Sequence, residues 1–171
     1  MKRTRGRGAL ARWLTVGGLA TSLAVAGGCA EAQPVRGATA RAGGAPVLDA
    51  LFAGGRVTEA LASLIERAEL EDGQMFKVVE VGRDAASSHH VVAIRDREAL
   101  HRHDTHDLFV VTLRGHGTMR IGGETRPVGE GSVLYVPRAT VHAFTNLAGE
   151  PAIAYAVYVP PFDGKDRVPV P

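Results

Sequence analysis

The 171-residue sequence predicts an all-β domain, a compact sandwich or barrel that carries one short N-terminal helix. From Met75 onward, short segments rich in β-branched and aromatic residues alternate with glycine-containing turns, a pattern typical of many short strands. Gly122-Gly123, between Ile121 and Glu124, predicts a two-residue hairpin. With 45% hydrophobic residues, the chain is long enough for one domain with a substantial core.

The first element along the chain is a basic start followed by an apolar stretch over 13–26, which is too short to span a bilayer comfortably. Small residues then precede Cys29, the single cysteine. This order resembles a bacterial lipoprotein signal, which implies cleavage before Cys29 and attachment of lipid to its side chain. The alternatives are an ordinary secretory signal in which Cys29 is incidental and, less favoured, a retained membrane anchor.

We therefore expect a signal peptide over 1–28 and a flexible tether over 29–46, where small and polar residues lack periodicity. The expected location is the non-cytoplasmic side of the cell envelope, with a lipid anchor in the membrane, or a soluble periplasmic protein if Cys29 is unmodified. Of 20 basic and 18 acidic side chains, five basic and no acidic ones lie in 1–28. The remainder is mildly acidic and has no clustered basic face, which argues against nucleic-acid binding.

Residues 47–72 are predicted to form a helical lead-in to the domain, and residues 73–171 to form the β-domain itself. Within the lead-in, 57–70 places apolar side chains at helical spacing, with Thr58 as the expected N-cap. These apolar residues are Leu61, Leu64, Ile65 and Ala68. The strands of the β-domain are expected at 76–81, 90–94, 108–113, 118–121, 133–136, 143–145 and 153–159.

The main functional signal is the histidine pair His101 and His103. Alternate residues of an extended chain face the same side, so the two imidazoles project together. A third histidine from a distant strand would close a metal site around the pair. Imidazole suits Zn, Fe, Ni and Cu, and a nearby carboxylate shifts the preference towards Fe, Mn or Ni.

Two motifs resemble those of the cupin superfamily. The second cupin motif, G-x5-P-x-G-x2-H-x3-N, is matched by Gly131, Pro137, His142 and Asn146, with Ala139 at the middle glycine. The resemblance covers roughly residues 75–163.

The first cupin motif, G-x5-H-x-H-x3,4-E-x6-G, is matched at His101 and His103, and Asp107 stands where the glutamate is expected. The sequence departs from this motif at both ends. Arg95 stands at the position of the opening glycine. Gly115 lies one residue further from Asp107 than the closing glycine of the motif should.

The resemblance implies a double-stranded β-helix, a jelly-roll-like barrel that holds one divalent metal (Fe, Mn, Ni or Zn). His101, His103 and His142 would be ligands, with Asp107 as a fourth. Aspartate is roughly 1.5 Å shorter in reach than glutamate, so an outer position beside a ligand histidine is a second alternative for Asp107. His106 is an alternative ligand in its place.

Three function classes remain open, because one fold hosts many activities. The first is a metal-dependent oxygenase, isomerase or decarboxylase acting on a small molecule. The second is a non-catalytic protein that binds a small molecule or a metal, and the third is a metal-free structural barrel. The expected partner is a small-molecule ligand or substrate, with a homodimer as one open alternative. Residues 163–166 are interpreted as a solvated turn.

Overall fold

The computed structural model of the protein describes residues 44–171, which contain twelve strands and one helix. The predictions for 1–28 and Cys29, and most of the predicted tether, lie outside the described residues. The elements are β1 (Val47–Phe52), β2 (Gly55–Ala60), α1 (Leu61–Arg67), β3 (Phe76–Arg83), β4 (Ser88–Ile94), β5 (His101–Arg102), β6 (Asp107–Arg114), β7 (His116–Ile121), β8 (Glu124–Gly129), β9 (Val133–Val136), β10 (His142–Asn146), β11 (Ala152–Val159) and β12 (Val168–Pro169).

Two five-stranded sheets form the body of the domain. The first, the histidine sheet, has the strand order β12-β5-β10-β7-β8, and the second, the helix-backed sheet, has the order β3-β4-β11-β6-β9. All neighbouring strands are antiparallel. The sheets share one apolar core, since Met119 and Val128 of the histidine sheet cluster with Val92, Leu108 and Val136 of the other.

The all-β prediction is confirmed, but the predicted barrel is not closed. The described residues form two separate five-stranded sheets, so the body is a sandwich. At one edge of the histidine sheet, β5 and β12 are only two residues long each, which leaves few backbone groups to continue the hydrogen bonding into the other sheet.

β4 is buried on both faces, which explains the continuous apolar run Val91–Ile94 in its second half. Val92 and Ile94 face the core between the sheets. The alternate residues Val91 and Ala93 pack under α1, whose Leu64 is fully buried. The helix therefore covers the outer face of the helix-backed sheet.

The lead-in over 47–72 differs from its prediction, because it begins with the β1–β2 hairpin and the helix is shorter than 57–70. Residues 57–60 belong to β2 and pair with β1, so the helix begins only at Leu61, the first of the apolar residues at helical spacing. Thr58 is not the N-cap, since its hydroxyl bonds to Asp49 and Ala60 stands at the cap without a side-chain hydrogen bond. Within 44–171, no helix is long and apolar enough to cross a membrane.

The hairpin prediction at Gly122-Gly123 is confirmed, because Ile121 pairs directly with Glu124 across it. The second strand of that hairpin, β8, was not predicted. Its sequence contains Pro127 and several charged residues, which an edge strand tolerates because one side of its backbone needs no partner.

Candidate metal centre

The three predicted histidine ligands meet on the inner face of the histidine sheet. His142 of β10 pairs directly with His101 of β5, so the two side chains project from the same face. His103 follows two residues after His101 and joins them. The ring centroids lie 4.3–5.3 Å apart, and one nitrogen from each ring lies within 4.8 Å of the others. The structure confirms that these residues form a single cluster.

Gly117 holds the strand that carries His142 close to its neighbour. A Cβ atom at Gly117 in β7 would lie 2.1 Å from the Thr145 carbonyl oxygen of β10, which is far inside van der Waals contact. Glycine at this position therefore permits the β7–β10 pairing that sets the register of His142.

A backbone carbonyl orients each of the three imidazoles. In every case Nδ1 faces that carbonyl oxygen, which can only accept, so Nδ1 carries the proton and Nε2 keeps a free lone pair. The pairs are His101 with Ala99 at 2.9 Å, His142 with Thr140 at 2.9 Å, and His103 with Asp166. The cluster thus presents three Nε2 lone pairs.

Burial keeps these imidazoles neutral. It lowers the pKa of His101 to about 3, with a further contribution from neighbouring His142, and the pKa of His142 to about 4. Burial also lowers the pKa of His103. Metal ligation requires neutral imidazole, so no proton has to leave these rings at pH 7.

A buried nitrogen without a hydrogen-bond partner is a second feature of the cluster that fits a metal ion. The Nε2 atom of His142 is buried and has no hydrogen-bond partner among the residues that the structure describes. A buried polar atom without a partner costs about 1–3 kcal/mol, and a metal ion coordinated by this lone pair would remove that cost.

The structure does not bring Asp107 to the three histidines. Asp107 begins β6 of the opposite sheet, and its carboxylate accepts hydrogen bonds from the Arg138 backbone N–H at 2.8 Å and from the Arg138 guanidinium at 2.8 and 3.2 Å. These bonds lower the pKa of Asp107 to about 2. The short side chain is held at this ion pair, and the cluster among the described residues consists of imidazoles alone.

His106, the alternative ligand, is also engaged elsewhere. Its ring is buried, but Nδ1 bonds to the Asp166 carboxylate and Nε2 lies 3.2 Å from the Pro161 carbonyl oxygen. With both nitrogens occupied, His106 lies outside the three-histidine cluster.

The remaining motif residues shape the backbone around the centre. Gly131 and Ala139 have φ values of 79° and 61°, in the left-handed region that glycine adopts readily. The Ala139 N–H donates to the His103 carbonyl at 2.6 Å. Asn146 is buried, and its amide donates to the carbonyls of Arg95 and Glu150 at 2.9 and 2.8 Å.

Residues 163–165 are exposed and bend at Gly164, as the sequence predicted for a solvated turn, whereas the Asp166 side chain is only 10% exposed. The Asp166 carboxylate accepts hydrogen bonds from the backbone N–H groups of Asp104 at 2.8 Å and Thr105 at 2.9 Å, as well as from the Thr105 hydroxyl at 2.7 Å. Asp166 thereby fixes the ligand loop, residues 103–106. No local pattern reveals this role, because the partners lie about sixty positions away in the sequence.

The cluster opens into a cavity of about 120 Å³ between the two sheets. A volume of roughly 10–15 Å³ on this measure holds one water, so the cavity admits a molecule of several heavy atoms. Its walls are mostly apolar. The polar side chains along it, besides the histidines, are Glu98, Thr112, Tyr158 and Arg167.

Comparisons with known proteins agree with this architecture. Residues 88–158, which include all three histidines, match the family model described as Cupin domain. An uncharacterized protein of Aquifex aeolicus is 32% identical over 95 residues, which is 56% of this chain and 78% of that protein.

Two solved structures share the fold. The TT1209 protein from Thermus thermophilus is 19% identical with a TM-score of 0.52, and the match covers 57% of this chain and 95% of that one. An uncharacterized Klebsiella pneumoniae protein with a double-stranded β-helix domain is 18% identical with a TM-score of 0.51, over 60% of this chain and 89% of that one.

Proposed function

Because this chain belongs to the cupin superfamily, we propose that its three clustered histidines bind one divalent metal and that a small organic molecule reacts or binds beside it. The observation that carries this proposal is the buried, unpartnered Nε2 atom of His142 within the cluster. Three protein ligands leave coordination positions for water or a ligand oxygen. A divalent metal there would supply Lewis-acid chemistry to that oxygen.

Oxygenase, isomerase or decarboxylase chemistry is the class of reaction that we propose. Two cavity side chains place groups capable of proton transfer beside the cluster, the Glu98 carboxyl and the Tyr158 hydroxyl. Burial raises the pKa of the Glu98 carboxyl and that of the Tyr158 hydroxyl. Both groups face the same cavity as the histidine cluster.

Metal analysis of the chain purified without a histidine tag tests the site. We expect about one divalent metal per chain, and each of His101→Ala, His103→Ala and His142→Ala should remove most of it, because two imidazoles chelate weakly. The matched control is His116→Ala, since His116 is an exposed histidine on β7. Full metal content in the His142→Ala protein would contradict the proposal.

Oxygen-uptake and turnover screening of the loaded protein distinguishes the function classes. Stoichiometric Fe with substrate-dependent oxygen uptake supports an oxygenase, and turnover without oxygen uptake supports an isomerase or decarboxylase. Bound metal without turnover across the screen would favour a binding protein over an enzyme.

We further propose that the chain is exported and attached to a membrane through lipid on Cys29. The basic start, the short apolar stretch, the small residues and the single cysteine support this in sequence. Mass spectrometry of the membrane fraction should find an N-terminal peptide that begins at lipidated Cys29. Cys29 is the single cysteine, so Cys29→Ser tests this thiol alone. The variant should be released from the membrane or incorrectly processed. A product that begins elsewhere and is unaffected by Cys29→Ser would rule out the anchor.

A further inference from the structure

Two charged side chains, Glu98 and Arg167, line the cavity, and the proposed metal site uses neither. Glu98 lies between β4 and β5, and only 14% of its side chain is exposed. Arg167 lies directly before β12, and 40% of its side chain is exposed. A molecule entering from solvent can therefore reach the Arg167 guanidinium at the cavity wall.

The guanidinium of Arg167 forms a long ion pair with Glu98 and, among residues 44–171, is not hydrogen-bonded to a carboxylate. Its Nη2 atom lies 3.8 Å from the nearer Glu98 oxygen, which is beyond hydrogen-bond range. It also lies 3.4 Å from Nδ1 of His101. That nitrogen donates its own N–H to the Ala99 carbonyl, so it cannot accept a hydrogen bond from the guanidinium. The guanidinium at the cavity wall thus has N–H donors that no carboxylate among the described residues accepts.

The backbone holds Arg167 in place on both sides. Asp166, the preceding residue, is bonded to the ligand loop through its carboxylate. Val168, the following residue, pairs with Arg102 in β5. An arginine anchored in this way loses less conformational freedom when it binds an anion, which favours affinity.

We propose that Arg167 binds the carboxylate of a small organic acid whose apolar body fills the cavity beside the histidine cluster. The planar guanidinium matches a carboxylate in a bidentate arrangement. The apolar walls and the volume of about 120 Å³ suit a short aliphatic or small aromatic body. Glu98 approaches the guanidinium only to 3.8 Å, without a hydrogen bond, so N–H donors of Arg167 remain available to a second carboxylate. This inference deepens the proposed function and rests on the same cavity.

The test compares isovalerate with isovaleramide, which have the same shape and differ in charge. Binding of each to the full chain is measured by calorimetry, first with metal removed by a chelator and then with Zn²⁺ added. We expect isovalerate to bind at least about tenfold more tightly than the amide in both states, the effect of one charge-assisted contact. Arg167→Gln should abolish this preference and leave amide binding unchanged.

Two further variants make the test specific. Arg126→Gln removes an exposed arginine of β8 that pairs with Glu124, and it should keep the preference for isovalerate. Arg167→Lys keeps the charge without the planar fork and should give an intermediate preference.

The outcomes separate the two proposals. If Arg167→Gln keeps the full preference, the assignment of Arg167 is overturned. It is also overturned if isovalerate binds only with Zn²⁺ present and His142→Ala abolishes that binding, because the metal then holds the carboxylate, as the proposed function allows. A protein that binds no metal yet discriminates through Arg167 would instead refute the metal site alone.

Discussion

Ala139 adopts a left-handed backbone, with a φ of 61°, at the position where the cupin motif has glycine. A side chain in this region costs about 1–2 kcal/mol, which substitution by glycine would relieve. The greater entropy of glycine in the unfolded state offsets part of that stabilisation. We expect Ala139→Gly to raise the free energy of unfolding by about 0.5–1 kcal/mol. Urea unfolding checks this.

The control for Ala139→Gly is Ala143→Gly in β10, where the backbone is extended and glycine brings only its entropic cost. That variant should lower the free energy of unfolding by about 0.5–1 kcal/mol. Equal losses in the two variants would show that strain at Ala139 is negligible.

At the residue scale, the sequence predicts the histidine cluster because two different signals agree. Alternation places His101 and His103 on one face, and the second motif supplies His142. The sequence does not predict that Asp107 bonds to Arg138, because the two residues are 31 positions apart. The proton location on each imidazole also depends on carbonyl groups whose placement only the folded backbone shows.

At the scale of elements, the segment before β12 supports the histidine cluster through Asp166. The Asp166 carboxylate receives four hydrogen-bond contacts from residues 104–106, and the Asp166 carbonyl orients His103. We expect Asp166→Ala to lower the free energy of unfolding by about 1–3 kcal/mol, because the buried His106 ring and the loop N–H groups lose their charged partner. Metal affinity should fall about 10–100-fold, as the loss of outer support typically causes.

Asp104→Asn is the control for Asp166, because the Asp104 carboxylate makes an exposed pair with Arg102 in the same loop. It should change stability and metal affinity little. Isothermal titration with Zn²⁺ measures the affinities. If Asp166→Ala leaves the Zn²⁺ affinity unchanged, the ligand loop positions His103 without help from Asp166.

The sequence predicts a strand where the strand contains many buried apolar residues. It fails where pairing with a neighbouring strand determines the secondary structure. β4, β6, β9 and β11 contain runs of β-branched residues and were predicted near their observed positions. The second half of β2 falls within the predicted helix range 57–70, yet it is a strand because β1 lies beside it. β5 and β12 have only two residues each, too few for any periodicity to appear.

For the whole molecule, the buried histidines make the stability of the metal-free protein depend on pH. The pKa values of His101 and His142 are about 3 and about 4 in the folded chain, against roughly 6.5 when unfolded. Below pH 6.5 the unfolded chain binds protons that the folded chain does not. Stability is therefore fully present above about pH 6.5 and falls as pH decreases towards about 4, by about 1.4 kcal/mol per pH unit for each such histidine.

Urea unfolding of the chelated chain at several pH values between 7.5 and 4.5 measures this dependence. His142→Gln should reduce the slope by about one histidine's contribution. The exposed His116 provides the matched control, so His116→Gln should retain the wild-type slope. A His142→Gln protein with the full slope would show that His142 does not titrate on unfolding.

The long sequence separation between the ligand loop and Asp166 also has a consequence for folding kinetics. His103 and Asp166 are 63 positions apart, whereas hairpins such as β7–β8 close over two residues. Contacts between distant positions must first meet the entropy of closing a long loop, so they form later than local ones. We therefore expect the sheets to recover before the loop is set, so that metal uptake on refolding lags behind the return of β-structure.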